Sequence, residues 1–279
     1  MTSLTPPPAT VGDLLREWRH RRGLSQFDLA GEAEISTRHL SFVETGRSSA
    51  SRDVLLRLAE NLDMPSRARN HLLNAAGFSA PCPERPFDDP ALDVARRTVD
   101  SVLAAHAPFP ALAIDRHWTL LASNSAVAPL LAGVAESLLA PPVNVLRLSL
   151  HPKGLAPRID NLGEWRGHLL NRLRQQIDRS GDVRLTALHA ELAAYPSRAS
   201  VARPADLAGI AVPLRLRVEG RREALSLISM TMVFGTPVDV TLSELAIESF
   251  FPADESTRAA LQGDAAGELT KPAERHHHP

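Results

Sequence analysis

The chain has 279 residues, 44% of them hydrophobic, and sets 31 Lys or Arg against 32 Asp or Glu for a net charge of -1. That size allows two domains with real cores, and that balance excludes binding to a polyanion through a bulk positive field. The single cysteine, Cys82, excludes an internal disulfide and fits a reducing compartment, and no run approaches the ~18 uninterrupted apolar residues of a membrane span, so a cytoplasmic protein is expected.

Residues 1–10 are Pro-rich, lack the apolar core of a signal peptide, and are expected to form a disordered tail. Val11, Leu14, Leu15 and Trp18 then recur at helical spacing, in a first helix that ends in the basic run from Arg19 to Arg22 before Gly23. Ser25 can cap a second helix, with Asp28 three residues on to complete a capping box and Phe27, Leu29, Ala30 and Ala33 as its apolar positions. Small Ala30 permits a close helix crossing. Ser36 offers a third cap, and Ile35, Leu40 and Val43 keep one apolar stripe inward. This leaves Thr37, Arg38, His39, Ser41 and Phe42 outward, a set rich in hydrogen-bond donors with one exposed ring. Ser51 caps a fourth helix carrying Val54, Leu55, Leu58, Ala59 and Leu62. Pro65 starts a fifth, with Leu72, Leu73 and Ala76 inward and Gly77 as its stop. Residues 11–78 therefore read as one all-α, five-helix domain.

The segment 24–46, LSQFDLAGEAEISTRHLSFVETG, resembles the helix-turn-helix of the xenobiotic-response-element regulators, relatives of the phage repressors and Cro. Gln26, Leu29, Ala30, Ile35, Ser36, Leu40, Ser41, Glu44 and Gly46 carry the likeness. The resemblance implies that the second helix of the motif enters the major groove, with Thr37, Arg38, His39 and Phe42 at the base edges. Gln26, Ser36 and Arg47 would hold phosphates, and Glu44 would be a structural partner. Glu34 departs from the pattern: it stands where many relatives carry Gly and a left-handed backbone is expected, at a cost of about 1 kcal/mol. Residues 1–80 hold 10 Arg against 9 Asp or Glu, so DNA affinity must come from local placement of arginine.

Residues 79–90, with four prolines, read as an extended linker. The domain that follows, 91–262, opens on a helix over 92–106 and a hairpin in ALAIDRHWTLLASN. Asn124 is positioned to cap a helix reaching Leu131. Further helices are expected from Val145, over 162–179 with Trp165, Leu169, Leu173 and Ile177 on one face, and over 184–195. Period-two alternation then gives strands over 210–218, 224–234 and 244–251, with Glu219 and Gly220 as a turn. Two strands, helices and three strands make an α+β, PAS-like domain: one antiparallel sheet of about five strands, with helices over a single face and a cavity between. Residues 263–279, which include His276 to His278, are polar and are expected to be disordered.

The phrases ALAIDRHWTLLASN, NVLRLSLHPKGLAPRIDNLGEWRGHLL and FGTPVDVTLSELAIESFFPAD resemble the ligand-binding domain of MmyB-like regulators. The resemblance implies an effector domain for a small apolar or amphipathic, fatty-acid-like molecule, with no cofactor or metal. Trp118, Asn124, Trp165, His168, Leu169, Met230, Met232 and Phe234 are candidate pocket residues, although alternation does not say which face of the 224–234 strand looks inward. His151, His168 and His189 lack metal-site spacing, and no nucleophile elbow, phosphate loop or dinucleotide fingerprint is present, so no enzymatic role is expected. The expected function is that of a homodimer reading a near-palindromic operator with half-sites ~34 Å apart, tuned by an effector. The alternative is a constitutive repressor or antitoxin-like protein whose second domain serves only dimerisation or protein contact.

Overall fold

A computed structural model describes residues 9–196 and 212–269, without the side chains of 264–269. The strand residues expected before Val212 and the histidines at 276–278 lie outside that range. Contacts divide the chain into two compact units. The first takes the chain up to Pro86 together with Gln175–Asp182 and Thr236–Ser243; the second takes Phe87–Arg174, Val183–Gly235 and the chain from Glu244 onward.

In the first unit α1 (Val11–Arg21), α2 (Gln26–Glu32), α3 (Thr37–Glu44), α4 (Arg52–Asn61) and α5 (Ser66–Ala75) enclose a core of Leu15, Trp18, Leu29, Leu40, Val43, Leu55, Leu58, Leu62, Leu72 and Leu73. Their starts are set locally. Thr10 and Ser25 form full capping boxes with Asp13 and Asp28, while Ser36 and Ser51 accept from the backbone N–H of His39 and Val54. Gly77 ends α5 at φ +81°, and Glu34 adopts the expected left-handed conformation at φ +54°. Phe27 departs from its expected inward position and is 75% exposed. With only seven residues, α2 buries Leu29 and Ala30, and its first turn stands beyond the core. Gly12 makes a close approach: a Cβ there would lie 2.3 Å from the Glu44 carbonyl oxygen, so α1 and α3 cross backbone to backbone.

The Pro-rich segment is fastened within this unit rather than left as a free connector. The Asn70 amide donates to the Cys82 carbonyl at 2.7 Å, the Val240 N–H donates to the Pro83 carbonyl, and Arg85 pairs with buried Asp239 at 2.9 Å. Proline removes donors but leaves carbonyls, and the Pro83 carbonyl accepts here, while the Cys82 N–H donates to Asn70 Oδ1 at 3.3 Å.

In the second unit α6 (Asp93–His106) leads to β1 (Ala111–Ile114) and β2 (Leu120–Ser123). After a 3₁₀ turn at Ser125–Leu131 come α7 (Glu136–Leu139), α8 (Val145–Leu150), α9 (Leu162–Ser180) and α10 (Val183–Ala194). Strands β3 (Leu214–Leu216) and β4 (Leu225–Val233), the short α11 (Val240–Ser243), β5 (Ala246–Pro252) and α12 (Glu255–Leu269) complete the chain. The sheet is antiparallel throughout, in the order β2-β1-β5-β4-β3, so the last strands insert beside the first. This is the five-stranded, helix-flanked arrangement expected from the strand-helix-strand order.

Three local readings change. Helices cover both faces of the sheet, because α6 packs Val99 and Leu103 on Ala111, Ala113 and Ile247, on the side opposite Leu112. Asn124 does not cap the turn that follows it: its amide donates to the Leu103 and Phe109 carbonyls, and its oxygen accepts from the Ala111 N–H. It ties α6 to the hairpin instead. Residues 263–269, placed in a disordered tail on composition, continue α12.

Candidate nucleic-acid interface and effector cavity

The end of α3 is held from below by a buried ion pair. Arg19 Nε donates to Glu44 Oε1 at 2.7 Å and Nη2 to Oε2 at 3.0 Å, a bidentate fork, and the Gln26 amide donates to Oε2 at 2.7 Å. Arg16 adds a bond to the Glu44 carbonyl at 2.6 Å. Burial pushes the Glu44 carboxyl up, but the hydrogen bonds from Arg19 and Gln26 and the charges of Arg19 and Arg16 together hold it below the ordinary glutamate value. Glu44 therefore fixes α1, α2 and α3 together through its side chain.

On the opposite side of α3, Arg38 is exposed and its guanidinium sits 5.3 Å from the Phe42 ring centroid, while Thr37 and His39 are half-buried beside it. Stacking on Phe42 limits the rotamers of Arg38 and keeps its fork near the helix surface. Ser36 spends its hydroxyl oxygen on the His39 N–H, so its side chain is first a cap. Gln26 likewise has its amide nitrogen on Glu44. Arg47 is exposed just beyond Gly46, whose φ is +70°. The expected base readers thus share the outer face of one short helix.

The second unit contains a partly open cavity of about 100 Å³ between the sheet and α8, α9 and the 3₁₀ turn. Its wall is almost wholly apolar and includes Trp118, Trp165 and Leu169 from the sequence-expected set, with Leu112, Leu146 and Leu227. The other expected pocket residues lie elsewhere. Met230 and Met232 are 57% and 41% exposed on the outer face of β4, and Phe234 packs against the Val99–Leu103 cluster. Leu227 and Ser229 face the cavity, because pairing of Ser229 with Phe250 and of Thr231 with Glu248 sets the odd-numbered positions inward. Asn124 is engaged with backbone, as above. His168 stacks on the back of Trp165 at 5.6 Å, and burial together with the neighbouring Arg172 charge holds it below the ordinary histidine value, with Glu248 opposing.

The cavity's charged residues were not singled out in the sequence. Arg172 and Glu248 both line it, and the Arg172 guanidinium lies 4.7 Å from the Trp118 ring centroid. A signal existed: Trp165, Leu169 and Arg172 fall at i, i+4 and i+7, so a charge occupies the apolar face of α9, and Glu248 interrupts the apolar run of β5. The Trp165 indole N–H donates to Ser149 Oγ at 2.9 Å. Among the described residues no group of three potential metal ligands occurs, and no helix is long and apolar enough to cross a membrane.

Residues 95–263 match the family described as the MmyB-like transcription regulator ligand binding domain, and residues 10–72 match a helix-turn-helix domain family. The chain belongs to the MmyB-like transcription regulators. Its two parts are thereby a DNA-binding domain and a ligand-binding domain of a transcriptional regulator. This MmyB-like regulator is also 36% identical over 116 residues to an HTH-type transcriptional regulatory protein of Methanoculleus marisnigri, a match covering 40% of the chain and 37% of that protein's length. Among solved structures it is similar to an RNA-binding light-oxygen-voltage receptor over 92% of this chain and 62% of that one, at 15% identity and a TM-score of 0.26. A likeness of that size bears on neither fold nor function.

Proposed function

We propose that this MmyB-like regulator binds a near-palindromic operator as a homodimer, reading bases with Thr37, Arg38, His39 and Phe42, and that a small effector in the second domain tunes that binding. The base readers follow from α3, which presents Arg38 and Phe42 outward while Leu40, Val43 and Glu44 anchor it. Gln26, Ser36 and Arg47 flank that face and are assigned to phosphates, Ser36 through the N-terminal end of α3 that it caps.

The cavity is the observation that supports effector binding over a constitutive repressor whose second domain only dimerises. A domain needed only for contact would be packed solid, because an apolar void forfeits dispersion contacts all round its lining. The effector it suits is apolar or amphipathic, and the proposed protein is a switch rather than an enzyme.

The test takes duplexes selected from a random pool by the purified protein and measures their affinity with and without a compound shown to bind the second domain. A change in affinity supports the switch. Equal affinities overturn it and leave DNA binding standing.

A further inference from the structure

The connection between β4 and β5 is longer than its geometry requires. Val233 and Ala246 pair directly across the two strands, so a hairpin loop of about two to five residues would close them. The chain instead spends residues 234–245, twelve in all, and the part of them from Thr236 to Ser243 belongs to the first unit, where α11 packs on α5. Asp239 is 2% exposed and Val240 is fully buried. Arg85 Nη1 donates to Asp239 Oδ2 at 2.9 Å, and the Thr241 N–H donates to Asp239 Oδ1 at 2.8 Å. The Thr241 hydroxyl donates to the Arg85 carbonyl at 2.5 Å, and the Val240 N–H donates to the Pro83 carbonyl at 2.9 Å. A carboxylate is buried only where it is paired and hydrogen-bonded, and a loop that merely turned the chain would leave Asp239 in water.

We infer that this loop, fastened at Asp239, is the element through which the effector domain acts on the helix-turn-helix unit. The inference rests on the reading of the second domain as an effector site and adds the route by which that site acts. Both strands that root the loop wall the cavity, β4 through Leu227 and Ser229 and β5 through Glu248 and Phe250. A ligand that changes the spacing or twist of these strands moves both roots of the loop. Because its crown is held by Pro83, Arg85 and α5, that movement passes into the first unit instead of being lost in a free turn. There α5 packs on α1 and α4, and α1 sets Gly12 and Arg19 against Glu44 at the end of α3. A continuous set of packed and hydrogen-bonded groups thus leads from the two strands to the recognition helix. Arg85 and Thr241 lie neither on the outward face of α3 nor on the cavity wall, so they are positioning residues for the switch.

The experiment uses the full chain in two arms. Calorimetry without any ligand should show one merged unfolding transition in the natural sequence and two separated ones in Arg85→Met, which keeps the apolar stem and loses the charge. A natural sequence that already unfolds in two transitions, unmoved by Arg85→Met, overturns the inference. In the second arm, affinity for a selected operator duplex is measured with and without dodecanoate, an amphipathic probe. The ratio of the two affinities should fall to within about twofold of unity in Arg85→Met, while the affinity without dodecanoate stays that of the natural sequence. Arg85→Lys restores the charge and should recover the ratio. Thr241→Val removes a hydrogen bond without stranding a charge and should reduce the ratio by a smaller factor, which serves if Arg85→Met does not fold. An undiminished ratio in these two variants overturns the inference and leaves the switch standing. A ratio of unity in the natural sequence overturns the switch and the inference with it.

Discussion

Glu44 shows how one residue can hold three helices beneath the face proposed to read DNA. Its carboxylate accepts from Arg19 twice and from Gln26 once, so removing it strands a buried guanidinium. Glu44→Ala should destabilise the helix-turn-helix unit by about 3–5 kcal/mol, measured by denaturant unfolding. Because its folded pKa is lowered, the stabilisation is fully present above the ordinary glutamate value and is lost as pH falls through the lowered one. Acid unfolding should therefore be less steep in Glu44→Gln than in the natural sequence. Arg38, stacked on Phe42, belongs to the other side of the helix: Arg38→Ala should cost about 1–3 kcal/mol of operator binding and relax preference at one base position. A loss that is equal on all sequences would instead make Arg38 a phosphate contact.

The helices of the first unit were legible at the level of the element because their caps act over three residues, and such short-range bonds are visible in the order of the chain. Ser25 with Asp28, Ser36 and Ser51 all cap where expected. Asn124 carried the same local signal, yet its amide is drawn to the Leu103 and Phe109 carbonyls, partners 21 and 15 residues away that no local pattern announces. The close approach between α1 and α3 was likewise hidden. Ala30 was the residue expected to permit tight packing, whereas Gly12 lies on the Glu44 carbonyl. Gly12→Ala should cost at least about 1–3 kcal/mol through overpacking, read as a lowered Tm. Glu34, at φ +54°, predicts the opposite sign: Glu34→Gly should raise stability by up to about 1 kcal/mol. In β4, alternation divided the residues into two sets, but only pairing with β5 decided that Met230 and Met232 face outward.

For the whole molecule, a net charge of -1 means that the proposed operator binding would depend on a few placed arginines rather than on a diffuse field. The affinity should still fall with salt, with a slope set by the small number of phosphate contacts. If an effector shifts operator affinity by some factor, operator DNA must shift effector affinity by the same factor, which paired titrations can check; unequal factors would mean that the two events are not linked through one equilibrium. The sequence by itself determined the two-part order, the five helices of the first unit, the presence of a sheet and the outward set on α3, since each depends on spacing within a few residues. Only the tertiary structure decided which strand face lines the cavity, that Gln26 and Arg19 converge on Glu44, and that Arg172 meets Glu248 across 76 positions of chain. Such pairings depend on how distant segments are brought together, and side-chain period alone carries no information about that.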